Sequence, residues 1–174
     1  TRALQDADGK SRATVGDWLL LDQSSQRPIR LLERKSLFKR KEPGTGRSLQ
    51  LIAANVDTLL IVSSCNQDFN PARLERYLAL AREAEVQPIV LLTKADLADE
   101  PEAYAARAAR LLPGLLVEYL DARSADDVRR LRPWFGRGQT IALLGSSGVG
   151  KSTLVNTLIG EAVQATGSIR EDDA

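Results

Sequence analysis

The run "QTIALLGSSGVGKSTLVNTLIG", residues 139–160, constrains the fold of this chain more than any other stretch. An apolar segment of strand length enters Gly145-Ser146-Ser147-Gly148-Val149-Gly150-Lys151-Ser152, which satisfies G-x-x-x-x-G-K-[ST] in full, and a helical pattern follows. A strand this apolar needs cover on both faces, so the unit belongs in a parallel sheet sandwiched by helices. Gly148 and Gly150 admit backbone angles that side chains forbid, so successive N–H groups from Gly145 through Val149 can turn inward onto phosphate oxygens. The helix beginning near Lys151 adds its positive dipole end. Lys151 is the candidate catalytic cation, reaching the β- and γ-phosphates. The Ser152 hydroxyl is the candidate Mg²⁺ ligand, and Thr153 is placed on the α-phosphate. The bland alternative is a glycine-rich turn that happens to precede a helix. The motif identifies phosphate, not the base: an ATP-binding transporter subunit could carry the same residues.

From about Asn55 the chain alternates strand-like and helix-like segments. "DTLLIVSS", "QPIVLLTKAD", "LLVEYLDA" and "QTIALLGSSG" read as four strands. Asn70 with Pro71 at the first helical position opens a helix whose Leu74, Tyr77, Leu78 and Ala81 share a face. A second helix is expected over 100–112, stopped by Pro113-Gly114. A third, "SADDVRRLRPWF", opens with Ser124 and Asp127 at capping-box spacing. The fold class is α/β. In a parallel sheet all strand-to-helix loops leave one rim, where ligands bind. The loops at Thr93–Asp96, Asp121–Arg123 and Gly145–Lys151 should therefore share one crevice.

The first of those loops, Thr93-Lys94-Ala95-Asp96, has the form T-K-x-D. A carboxylate at Asp96 can accept from both N1–H and the N2 amine of guanine, while adenine offers neither donor. If Asp96 is buried, that pairing discriminates by roughly 10⁴-fold or more. Lys94 would lie along the purine face, with Ala95 a spacer. Alone, the tetrapeptide reads equally as a solvated Lys and a capping Asp. For a third contact to the base, the backbone amide of Ala122 competes with Ser124-Ala125. Ser124 already serves as a helix cap, which favours Ala122.

Composition narrows the class further. The 174 residues carry a net charge of +1, but residues 27–47 hold eight Lys or Arg against Glu33 and Glu42. A segment of +6 joined to a remainder of about −5 hints at a polyanionic partner. One cysteine, Cys65, and no histidine leave neither a disulfide nor a thiolate metal site within the chain, and Cys65 is expected as buried apolar filler. No apolar run approaches the roughly 18 residues of a membrane span, and a cytoplasmic location is the default. The chain starts at Thr1 rather than Met and ends in a polar stretch, so a longer protein is expected.

In the order T-K-x-D, third base loop, phosphate loop, the chain resembles the circularly permuted GTPases. Specifically, "IAANVDTLLIVSS", "NPARLERYLALAREAEVQPIVLLTKADL" and "GSSGVGKSTLVNTLIG" resemble the ribosome small subunit-dependent GTPase A (RsgA/YjeQ) family. The resemblance implies a partial OB-fold-like β-barrel over 1–48 and a circularly permuted P-loop GTPase domain over 49–174. It also implies GTP/GDP and Mg²⁺ as ligands, and the small ribosomal subunit with its rRNA as partner. Zinc is implied only in a further Cys/His region, and a monomer is expected. Thr93 stands where many GTPases have Asn, and Asp121 where the commoner residue is Ser. No D-x-x-G follows the phosphate loop in this sequence; "TGSIREDDA" reads as the start of a switch, with Asp172 and Asp173 as solvated residues. Lys35, Lys39, Arg40 and Lys41 could track an RNA backbone. Trp18 and Phe38 offer a stacking face or core packing, the latter expected for Trp18. The alternatives are an ATP-binding P-loop domain of transporter or kinase type, or an RNA-binding module with a vestigial nucleotide site.

Overall fold

A computed structural model of the chain describes residues 12–41 and 49–160. The suggested switch residues Asp172 and Asp173 lie outside them. The first part is antiparallel. β1 (Leu19–Leu21) pairs with β2 (Pro28–Leu31), and β3 (Leu37–Lys41) pairs with β4 (Leu49–Ala54). The boundary expected at 48/49 falls inside the β3–β4 hairpin; pairing changes from antiparallel to parallel only beyond Ala54. Asn55 makes that junction. With φ of 56° it turns the chain, accepts at Oδ1 from the Lys35 N–H, and donates from Nδ2 to the Gly16 carbonyl. Nearby, Arg34 closes a two-pronged ion pair on Asp17, Nε to Oδ1 at 2.7 Å and one terminal nitrogen to Oδ2 at 2.8 Å. Arg34 thus leaves the set of surface cations.

The aromatic residues of this part separate. Phe38 is buried against the helical side of the parallel sheet, so it offers no stacking face. Trp18, expected in the core, is instead 68% exposed. It immediately precedes a three-residue strand paired on only one side, which supplies no second layer to cover it.

The second part is a four-stranded parallel sheet in the order β7-β6-β5-β8. Its strands are β5 (Thr58–Ser64), β6 (Gln87–Thr93), β7 (Leu116–Tyr119) and β8 (Ile141–Leu144). The two-residue period of β5 and β6 divides the core. Leu59, Ile61, Val90 and Leu92 face α1 (Pro71–Glu83) and α2 (Pro101–Ala109), through Leu74, Leu78, Ala81 and Ala108. Leu60, Val62, Ile89 and Leu91 face α3 (Ala125–Arg129) and α4 (Lys151–Ile159), through Val128 and Leu154. This explains why both strands read as unbroken apolar runs.

The helix signals act as expected at α1, where Asn70 Oδ1 accepts from the Arg73 N–H and Pro71 occupies the first position. The third helix is shorter than expected. It ends at Arg129 and tightens into a 3₁₀ turn at Arg132–Trp134, because Pro133 lacks an N–H and crowds the carbonyl four residues back. Only half of its capping box forms. Ser124 Oγ accepts from the Asp127 N–H, but Asp127 Oδ2 accepts from Asp121 N–H rather than reaching back to Ser124. That redirected carboxylate anchors the loop after β7. Cys65 is buried in the core as expected, and burial pushes its thiol up to about 11. Among the described residues, no helix is long and apolar enough to cross a membrane.

Candidate nucleotide-binding site

The loops after β6, β7 and β8 leave the same edge of the sheet, and they converge. Thr93, Lys94, Asp96, Asp121, Ala122, Gly148, Gly150 and Thr153 line one cleft of about 230 Å³. Residues far apart and inverted along the chain thus meet because parallel strands put their carboxyl ends together. A direct bond locks the two recognition loops. Thr93 Oγ1, fully buried, lies 2.6 Å from the Val149 carbonyl and 3.0 Å from that of Ser63. One hydroxyl hydrogen serves these acceptors, and either way Thr93 joins the end of β6 to the phosphate loop. Expected as a ligand contact, Thr93 has its side chain committed to this bridge.

The phosphate loop is built around close backbone approaches. A Cβ on Gly145 would sit 2.3 Å from the Val62 carbonyl oxygen in β5, so only glycine lets the loop leave β8 at this point. Gly150 has φ of +90° and caps α4, turning the chain from loop to helix. Val149 is buried and pins the loop to the core, while Ser146 is half-buried and Ser147 exposed. Lys151 Nζ folds back along the loop, donating to the Gly145 carbonyl at 2.9 Å and the Ser146 carbonyl at 2.6 Å. An ammonium has three N–H groups, so one remains for a ligand. Burial lowers the Lys151 pKa, a cost to the cation that a bound phosphate would offset.

A sequence model of the RsgA GTPase family matches residues 31–174. The chain belongs to the RsgA GTPase family. It is 57% identical over 163 residues to a "Small ribosomal subunit biogenesis GTPase RsgA" of Mesorhizobium japonicum, covering 92% of this chain and 47% of that protein. It is 52% identical over 161 residues to "Small ribosomal subunit biogenesis GTPase RsgA 2" of Vibrio parahaemolyticus, covering 92% and 45%. The chain therefore spans about half the length of the curated relatives it matches. Two solved structures share the fold. One is YjeQ from Thermotoga maritima, with a TM-score of 0.65 at 23% identity, covering 84% of this chain and 51% of that one. The other is YloQ, described as a circularly permuted GTPase, with a TM-score of 0.61 at 23% identity, covering 95% and 61%. The RsgA fold thus accounts for the inverted order of the two motifs.

The condition for the strongest base discrimination is not met in the base loop. Asp96 is not buried. It lies toward solvent, and Arg123 donates to its Oδ2 at 2.7 Å while also holding Asp121 Oδ1 at 3.1 Å. Arg123 lowers the Asp121 pKa, and the pair of carboxylates raises that of Arg123. A base that ignores Asp96 would leave Arg123 in place and no carboxylate stranded. The discrimination expected from this site is accordingly smaller than for a buried, unpaired acid. Sequence reasoning named this loop without finding the contact; the available signal was an arginine two residues after Asp121.

Ala122 is buried at the cleft, and its N–H has no partner among the described residues, whereas its carbonyl accepts from Thr157 Oγ1. Ala125 is exposed on α3 and does not line the cleft. Lys94 adopts φ of 57°, and Ala95 packs partly against the core with its N–H on the Leu120 carbonyl. Ser152 lies half-buried in the first turn of α4, and its hydroxyl has no partner among the described residues. One free hydroxyl, with no cluster of three His, Cys, Asp or Glu among those residues, suits a hard cation that draws most ligands from phosphate and water.

Proposed function

We propose that this chain forms the guanine-nucleotide site of an enzyme hydrolysing GTP to GDP and phosphate, acting with Mg²⁺ in late maturation of the small ribosomal subunit. The observation that carries the reading is the shared cleft, lined both by Asp96 and by Gly148 and Gly150 of the phosphate loop. Asp96 and the Ala122 amide read the base, and Lys94 covers the purine face. The amides of Gly145 to Val149, the start of α4 and Lys151 hold the phosphates, with Thr153 on the α-phosphate. Catalysis of this kind is largely positioning and charge stabilisation, so Lys151 is its principal cation here. Ser152 would hold Mg²⁺, which supplies neutralising charge to the phosphate oxygens when bound.

We propose further that the residues up to β4 belong to an OB-fold-like part, which meets rRNA through Lys35, Lys39 and Arg40. Lys35 and Arg40 are exposed, and Arg40 is steadied by Gln50 Oε1 at 2.7 Å. The names of the relatives support this partner, a cytoplasmic location follows from it, and a monomer suffices for the cleft. Any zinc would be held by residues other than the described ones. Competition of unlabelled GTP and ATP against a fluorescent guanine nucleotide tests the site. GTP is expected to displace the probe at least tenfold more effectively. Equal displacement would favour the ATP-binding alternative.

A further inference from the structure

Outside the residues already assigned, one cation among the described residues touches the phosphate loop. Arg73, in the first turn of α1, donates from its guanidinium to Ser146 Oγ. Lys151 holds the same residue through the Ser146 carbonyl, so two cations meet around Ser146. No carboxylate pairs with Arg73 or Lys151 among the described residues. Arg73 is half-buried, and its one side-chain bond there leaves most of its five N–H groups unused. Two uncompensated charges at one loop residue favour an anion, and a guanidinium fork matches phosphate oxygens.

Position decides which phosphate. The base cleft takes its loop residues from Gly148, Gly150 and Thr153, and neither Ser146 nor Arg73 lines it. The base loops follow β6 and β7, whereas Arg73 follows β5, beside β8. A nucleotide with its base at Asp96 and its α-phosphate at Thr153 runs its phosphate chain away from that cleft, toward Ser146 and Arg73.

We propose that Arg73 reads the terminal phosphate of the nucleotide and sets the preference for triphosphate over diphosphate. The inference rests on the cleft being a guanine-nucleotide site. On binding, the guanidinium turns part of its fork from Ser146 Oγ to the γ-phosphate oxygens, a contact that a diphosphate lacks.

The test measures affinities of the protein for fluorescent GDP and for a fluorescent, non-hydrolysable GTP analogue, each with Mg²⁺. Arg73→Gln is expected to weaken the GTP analogue roughly 10- to 100-fold, the range of a charge-assisted bond, and to leave GDP within about threefold. Arg73→Lys should recover part of the loss. Ser146→Ala removes the observed bond but not the charge, so it should keep the triphosphate preference. Equal loss of both nucleotides in Arg73→Gln, or no loss, would overturn the proposal. So would Ser146→Ala matching Arg73→Gln, which would make Arg73 only a positioning residue. Failure of the unsubstituted protein to bind either nucleotide would instead remove the underlying site, and this inference with it.

Discussion

Asp96→Asn is expected to lower the GTP-over-ATP preference by roughly 10²- to 10⁴-fold and to shift preference toward xanthine nucleotides. The magnitude follows from two charge-assisted hydrogen bonds, each worth about 1.5–3 kcal/mol. An asparagine presents one acceptor and one donor where the carboxylate presents two acceptors. Guanine then meets a donor with its N2 amine, whereas xanthine has a carbonyl at that position and restores the match. The fold should be little affected, since the Arg123 ion pair lost with the carboxylate is exposed on the arginine side and such pairs contribute little. Arg123 places the effect below that of a buried acid: it re-pairs Asp96 whenever the base does not. Competition binding with GTP, ATP and XTP measures the change, and an unaltered order of preference would remove the guanine assignment.

Gly145→Ala should damage stability and phosphate binding together. The added methyl would lie 2.3 Å from the Val62 carbonyl oxygen and 3.2 Å from Val149 Cγ2. The first neighbour is backbone in the middle of the sheet and cannot rotate away. Either β8 separates from β5 or the phosphate loop shifts, and both move Lys151, whose ammonium is held by the Gly145 carbonyl. Overpacking of this kind costs about 1–3 kcal/mol. For a chain of this size that is a fall in Tm of roughly 2–12 °C. Ser147→Ala, at an exposed position of the same loop, should leave Tm unchanged. Thermal unfolding with and without GDP separates the two components. A Gly145→Ala protein as stable as the parent, with intact GDP binding, would contradict the close approach of loop and strand.

The parallel sheet and its rim were legible because their determinants are local. Continuous apolar runs over β5 and β6, Asn70-Pro71 before α1 and the full phosphate-loop signature each specify their own segment. Convergence of the three loops then follows from topology without any contact being known. The parts that escaped are set by distant neighbours. Thr93 is only the first letter of the base motif in sequence, whereas its hydroxyl forms a bridge with Val149, 56 residues away. The sequence leaves the burial of Asp96 open, and what settles it is Arg123, which lies across it from 27 residues away. Trp18 reads as core from its type alone, while the two-stranded pairing beside it leaves nothing to cover the ring. Pro133 was visible, and its effect on the third helix was local enough to have been anticipated.

The most direct measurement is a crystal structure of the protein with GDP. The expected result is a single GDP whose guanine edge meets the Asp96 carboxylate while its β-phosphate meets Lys151 Nζ and the amides after Gly145. Arg123 should then have left Asp96 and remained on Asp121. A GDP held by the phosphate loop with its base directed away from Asp96 would contradict the shared site.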